Sequence, residues 1–264
     1  RMAQEWRKLM AAPAATPAIV AMERHQVLTR LLPELAQGRG VGQNPFHHLD
    51  VLGHNLATLA ALEGLTAPGS PFNDSLLLAE AAAYLDGDGP KVVLKSAALL
   101  HDLGKPATRR PKAPGWNTFH RHDVLGACMA LGAARRLGLS KAEAGQIARL
   151  VAGHMRPFHL LGVSARTGLS RRAARRLLTS CGDDLPGVFL LGLADTMAGR
   201  GPSRPADAEE RLLALYGQVA HLRDRELALA LAAPPLLDGH RLMAGLGLAP
   251  GPEVGRLLGL LREA

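Results

Sequence analysis

Aromatic residues make up only 3% of this 264-residue chain, and cysteine appears twice, as Cys128 and Cys181. Two cysteines far apart and outside any CxxC spacing exclude a disulfide framework and a thiolate zinc site. They fit a reducing compartment, so a cytoplasmic protein is expected. The scarcity of aromatic rings argues against a base-stacking platform and for holding any nucleic acid through its backbone. No apolar run approaches the ~20 residues of a membrane span, because charges, Gly or Pro interrupt each one, and the opening RMAQEWRKLM has no signal-peptide core. A membrane partner is therefore not expected. Runs of alternating Val, Ile and Thr are missing too, which removes the usual signal for strands. The chain starts Arg1-Met2 and stops in the helix-like GRLLGLLREA, which reads as a piece of a longer polypeptide.

Acidic residues are scarce in one stretch. From Lys105 to Arg176 there are 15 Lys and Arg against Asp123 and Glu143 alone, and the rest of the chain is net acidic although the whole carries +8. Such a block is often just a solvated face. Here it contains or abuts the most unusual residues of the chain, and a polyanion such as RNA or a nucleotide is the partner it favours.

What the chain has in abundance is Ala and Leu, recurring at three and four, so the fold class is all-α with next to no sheet. Residues 1 to 40 read as two or three short helices punctuated by Pro13, Pro17 and Pro33. Helices are expected near 47–63, 74–85, 91–103, 121–137, 140–156, 168–179 and 185–199. RGPSRPAD, from Arg200, reads as a bend, followed by a charged helix from about Ala206 to Ala232, then Pro234-Pro235 and a final pair of short helices. Asp86-Gly87-Asp88 is a turn rather than a metal-binding DxD, since it has no preceding strand.

Six residues of metal-binding type lie on these apolar helices: His54, His101, Asp102, His122, His154 and Asp195. A lone histidine on an apolar face is more often a hydrogen-bonded core residue than a ligand. Six such groups are harder to dismiss, because an ionisable side chain taken out of water costs several kcal/mol unless something compensates it. A shared divalent metal would compensate all of them. His101-Asp102 closes an apolar helix in AALLHDLGKP, with Gly104 as a left-handed cap and Pro106 as a stop. His54 is embedded among Val51, Leu52 and Leu56, on one helix face with His47, while His47 and His48 read as secondary or solvent-facing. Imidazole with carboxylate suits Mn, Fe, Ni, Co or Zn better than Mg, although Mg can occupy mixed sites. One ion would take His54, His101, Asp102 and Asp195; His122 and His154 would hold a second ion bridged by Asp102, or bind phosphate. A metal so held lowers the pKa of its water and polarises a phosphoryl group, the chemistry of phosphoester hydrolysis. Asp102 and Lys105 are the expected catalytic residues, Lys105 neutralising developing charge. Lys105, Arg109, Arg110 and Arg121 are expected to hold the phosphate. Arg171, Arg172, Arg175 and Arg176 form helical stripes that suit an RNA backbone as well as they suit plain solvation.

The order H, HD, H, H, D with LLHDLGKP in the middle resembles the HD-domain metal phosphohydrolases. The wider succession QNPFHHLDVLGHNLATL, LLHDLGKPATR, FHRHDVLGACMA, VAGHMRPFHL, LADTMAGRG and PPLLDGHRLMAGLGLAPGPEVGRLLGLLREA resembles the C-terminal portion of the bacterial tRNA nucleotidyltransferase and poly(A) polymerase family. That resemblance implies a neck-like segment over 1–42, an HD domain over 43–199 and a C-terminal helical segment over 200–264. It also implies phosphatase, 2′-nucleotidase or 2′,3′-cyclic phosphodiesterase activity on RNA ends or nucleotides, with His54, His101, Asp102 and Asp195 as core ligands and tRNA as partner. The family's nucleotidyltransferase head, with its Gly-rich turn and paired acids, has no match here; it is expected upstream in a longer chain. The alternative is an RNA-binding body for that head without hydrolysis of its own.

Overall fold

Proline divides the start of the chain into short helices. α1 (Met2–Ala11) ends before Pro13, Pro17 sits in the first turn of α2 (Thr16–Arg24), α3 (Val27–Leu31) follows, and Pro33 opens α4 (Pro33–Ala36). A fixed φ and a missing N–H make proline tolerable there and costly further in. This computed structural model describes residues 1–227 and 239–263. They fall into two units, Arg1–Ala220 and His221–Ala264.

The first unit is a helical bundle. It continues with α5 (Val51–Thr66), α6 (Leu76–Tyr84), α7 (Asp88–Leu100), a short α8 (Lys105–Thr108) and a hairpin of β1 (Arg109–Ala113) and β2 (Trp116–Phe119). Then come α9 (His122–Arg136), α10 (Lys141–Gly153), α11 (Arg156–Thr167), α12 (Arg171–Cys181), α13 (Leu185–Ala198) and α14 (Ala208–His221). Local signals set the starts: Asp50, Ser75, Ser140 and Ser170 each accept a backbone N–H three residues on, and Ser140 with Glu143 completes a capping box. Two helices are apolar almost all round and lie in the middle. α7 is buried from Val92 to Leu100, and α13 buries Leu185, every residue from Gly187 to Asp195, and Ala198. Helices of that kind need neighbours on every side; α1, α5 and α10 pack on α7, and α5, α6, α10 and α11 on α13.

The expectation of no long apolar run needs correcting. Arg171–Ala198 is long and apolar enough by length and composition to cross a membrane. It is two helices, however, parted at Gly182 (φ 50); α12 exposes its arginines and α13 is core. Three other local differences have clear causes. The basic segment after Asp102, expected as a loop, pairs as an antiparallel hairpin, Arg109 opposite Phe119 and Arg110 opposite Thr118. The helix expected over 140–156 stops at Gly153, and α11, absent from the expected set, starts at Arg156 with Pro157 in its first turn. The charged helix from Ala206 runs as α14 to His221 and continues as a π-helical turn over Leu222–Leu227. The rest of that helix, with Pro234-Pro235, lies outside the described residues. In the second unit, two short helices occupy Gly239–Leu246 and Pro252–Glu263.

Candidate metal centre

Six side chains from five helices and the turns at their ends meet in one buried cluster. His54 projects from α5, His101 and Asp102 from the end of α7, His122 from the first turn of α9, His154 from the end of α10 and Asp195 from the last turn of α13. Three helix C-termini therefore deliver His101-Asp102, His154 and Asp195, and the negative ends of their dipoles favour a cation. Glycine permits the approach. Gly104 has ordinary right-handed geometry (φ −78, ψ −15) rather than the left-handed cap expected from sequence. A Cβ there would lie 2.1 Å from the His122 carbonyl oxygen and 2.7 Å from the Gly126 nitrogen, so Gly104 lets the end of α7 touch the backbone of α9. Pro106 does not end a helix but opens the short α8.

The histidines are oriented from behind. His101 Nδ1 faces the Ala98 carbonyl at 2.9 Å, His122 Nδ1 that of Phe119 at 2.7 Å, and His154 Nδ1 that of Val151 at 2.6 Å. A carbonyl only accepts, so each Nδ1 donates and each Nε2 is bare in the neutral ring. Those bare atoms surround Asp102: His101 Nε2 lies 3.2 Å from Oδ2, and His122 Nε2 3.4 Å and His154 Nε2 3.8 Å from Oδ1. His54 Nε2 is also near, 3.8 Å from Oδ2, but carries a proton that it donates elsewhere. His122 and His154 also face each other Nε2 to Nε2 at 3.2 Å. Two acceptors at that distance repel unless a proton or a cation joins them. His54 Nε2 makes a 2.8 Å hydrogen bond to Asp195 Oδ1.

Charge balance points the same way. Burial works to raise the Asp102 and Asp195 carboxyls, yet their neighbours overcome it: His101 and Lys105 hold Asp102, and His54 holds Asp195, well below the carboxylate range. Burial, with His101 and His122 alongside, pushes His154 down to about 3, and burial lowers His54 and His122 as well. His101 alone is raised, Asp102 overcoming the burial that opposes it. The result is two carboxylates among mainly neutral imidazoles. Lys105 Nζ lies 2.6 Å from Asp102 Oδ2, but not in hydrogen-bond geometry, so both Asp102 oxygens, His101 Nε2 and His54 Nδ1 are buried without a hydrogen-bond partner. An orphaned buried polar atom costs about 1–3 kcal/mol, more when charged. Three overlapping triads have donor atoms close enough for one ion: His54, His101 and Asp102; Asp102, His122 and His154; and His47, His54 and Asp195. The donor set fits a divalent metal.

His47 was underrated in the sequence. It precedes α5 rather than sharing its face, because Asp50 is spent capping that helix, accepting from Gly53 N and Gly40 N. Asn44 orients its Nδ1 at 3.0 Å, leaving Nε2 4.0 Å from Asp195, while His48 is exposed. The loop is held by Gly201 N on Phe46 O and Ser203 N on Pro45 O, contacts far apart in the sequence. Gln43 was missed altogether: it is buried and accepts from Lys105 Nζ at 2.6 Å. The basic residues lie outside this cluster. Arg109 and Arg110 are exposed on β1, and Arg121 is exposed with a left-handed φ of 61 that turns the chain into α9. Arg171, Arg172, Arg175 and Arg176 are exposed along α12.

Residues 72–198 match the HD domain family. His54 lies before that stretch and joins the centre only through the packing of α5 on α7 and α13. The whole chain aligns at 36% identity with the A-adding tRNA nucleotidyltransferase of Deinococcus radiodurans, covering 54% of that protein. It aligns at 34% with the CC-adding tRNA nucleotidyltransferase of Thermus thermophilus, covering 52%. The chain thus spans about half the length of the curated relatives it matches. Residues 72–198 are thus similar to the HD domain family, and the whole chain is similar to about half of two tRNA nucleotidyltransferases.

Proposed function

We propose that this chain is a metal-dependent phosphohydrolase acting on phosphoesters at RNA ends or in nucleotides. The observation that carries the reading is Asp102, whose two buried oxygens have no hydrogen-bond partner amid the Nε2 atoms of four histidines. His54, His101, Asp102 and Asp195 would hold one divalent ion, with His122 and His154 for a second, supplying Lewis acidity to a phosphoryl oxygen and a water of lowered pKa. Imidazole and carboxylate together suit Mn, Fe, Ni, Co or Zn, and tolerate Mg.

The chain's own residues have distinct tasks. The carbonyls of Ala98, Phe119 and Val151 keep protons on Nδ1, so the inward nitrogens are presented as bases. Lys105, steered by Gln43, places a cation beside Asp102, where charge develops on a phosphoryl group. Arg109, Arg110 and Arg121 attract the polyanion, and the exposed arginines of α12 offer a second surface to an RNA backbone. The relatives' names make tRNA the RNA of choice, and two isolated cysteines fit a reducing, cytoplasmic setting for that reading. On the same reading 1–42 is a neck joining an upstream nucleotidyltransferase head, 43–199 the hydrolase and 200–264 a C-terminal body. The test is hydrolysis of 2′,3′-cyclic AMP and 2′-AMP across a panel of divalent metals. We expect metal stimulation that Asp102→Ala cuts by about two orders of magnitude or more; hydrolysis undiminished in that variant would overturn the proposal.

A further inference from the structure

The β1–β2 hairpin is rooted in the metal centre on three sides. Lys105, 2.6 Å from Asp102, lies 5.6 Å above the Phe119 ring; Asn117 donates its N–H to Gln43 O at 3.2 Å and its side-chain amide to Gly42 O at 2.7 Å; and the Phe119 carbonyl orients His122 at 2.7 Å. Along β2, Asn117 and Phe119 are buried while Trp116 and Thr118 are half-exposed, so the strand's alternation turns Trp116 to the open face. Arg110 is paired with Thr118 and therefore shares that face. The register shifts between Pro111 and Ala113, and Lys112, in that irregularity, sets its ammonium 4.7 Å over the Trp116 ring. All of β1 is exposed. The chain has two tryptophans; Trp6 is buried and bonded to Ser96, a core role, whereas Trp116 serves no core.

We infer that this hairpin is an arm that holds the single-stranded end of an RNA, with a base stacked on Trp116 and phosphates beside Lys112 and Arg110. Every base has a π-face, so one ring can grip a strand without reading its sequence. A chain with few aromatics thus has no broad stacking platform but does have one ring where the basic face and the metal centre adjoin. Phe119, whose carbonyl orients His122, is three residues from Trp116, about 10 Å along a strand. A mononucleotide at the centre would not reach Trp116, but a short oligonucleotide would. The inference rests on the proposed function for where the strand ends, yet it is tested by binding alone.

The probe is a 5′-fluorescein oligoadenylate trimer, followed by anisotropy on the full chain with divalent metal present, alongside unlabelled trimer followed by tryptophan emission. We expect the trimer to quench emission, Trp116→Phe to remove the quench while retaining part of the affinity, and Trp116→Ala to weaken binding about tenfold or more with AMP binding unchanged. Arg110→Gln with Lys112→Gln should weaken the trimer and flatten its salt dependence. Trimer affinity unchanged in Trp116→Ala, an unchanged salt slope in the Gln variants, or displacement by polyglutamate as effective as by oligouridylate would each overturn the inference. Hydrolysis absent with the quench intact would count against the proposed function and leave the arm standing.

Discussion

Two ionic clusters are buried in the same bundle, and they are built on opposite principles. Where α1 gives way to α2, Lys95 Nζ meets Glu63 at 2.8 Å, Ala12 O at 2.6 Å and Pro13 O at 3.3 Å, while Glu63 accepts from Ala15 N at 2.6 Å and Thr16 N at 3.2 Å. The three ammonium hydrogens have three acceptors, and the carboxylate closes the N-terminus of α2. Burial works against the Glu63 charge, but Lys95 and the amides still hold its pKa below the ordinary value. Around Asp102 the same inventory fails to close, with both carboxylate oxygens and His101 Nε2 left over. Burial alone therefore does not mark a functional charge. A satisfied pair locks two elements together, and an unsatisfied one is shaped for a group the chain does not itself provide.

The largest effect should come from opening the satisfied cluster. Glu63→Gln leaves Lys95 charged and buried with only carbonyls to meet it, and breaking a buried pair typically costs about 3–5 kcal/mol. For a domain of this size that lowers Tm by roughly 6–20 °C. We expect the loss with or without divalent metal, read by thermal unfolding in EDTA and in metal. A Tm within a degree or two of wild type would erase the distinction drawn between the clusters.

At the metal centre the pattern should invert. Asp102→Asn keeps the shape of a side chain whose two oxygens have no hydrogen-bond partner but takes the counter-charge from Lys105, 2.6 Å away, so in EDTA its Tm should fall, yet by less than that of Glu63→Gln, Lys105 retaining Gln43 as a partner. Divalent metal at about a hundred times its Kd should raise the wild-type stability by about 2.7 kcal/mol, and the variant's hardly at all. A loss in EDTA as large as that of Glu63→Gln would mean the Asp102 cluster is structural as well.

Why the sequence announced one cluster and hid the other follows from residue type. Histidines on apolar helix faces and an HD pair at a helix end are improbable enough to be noticed one by one, and the structure brings all six together. Lys95, on α7, and Glu63, on α5, look like ordinary helix-surface residues until the turn from α1 into α2 is seen to cover them. Gln43 and His47 were obscured for a related reason: both sit in irregular backbone before α5, where helical spacing says nothing about direction. Their placement depends on the hairpin and on the segment around Gly201, contacts remote in sequence. The hairpin escaped because a five-residue strand as basic as RRPKA has no apolar alternation; pairing with β2, whose Asn117 and Phe119 are buried, holds it. Short helices set by proline and serine were readable locally, though α11 was not, its first-turn Pro157 looking like an end rather than a start.

The smallest effect belongs to a half-exposed pair, which marks the low end of the same scale. Arg7 on α1 meets Glu143 on α10 through two hydrogen bonds, 2.9 and 2.7 Å, with 38% of the arginine side chain exposed. Arg7, helped by Ser140 and opposed by burial, brings the Glu143 carboxyl down from 4.5 to about 2. A carboxyl depressed in the folded state binds its proton more readily in the unfolded chain, so its stabilisation is fully present above the ordinary value. It fades as the pH falls from about 4.5 through about 2. Solvent screening limits such a pair to about 1 kcal/mol or less. Glu143→Gln should therefore lower Tm by only a few degrees at pH 6, and the gap to wild type should close as unfolding is followed down to pH 2. The gap should also narrow in high salt, whereas that of Glu63→Gln, shielded from solvent, should persist. A Glu143→Gln deficit that did not shrink on acidification would show that the pair joins α1 to α10 by packing rather than by charge.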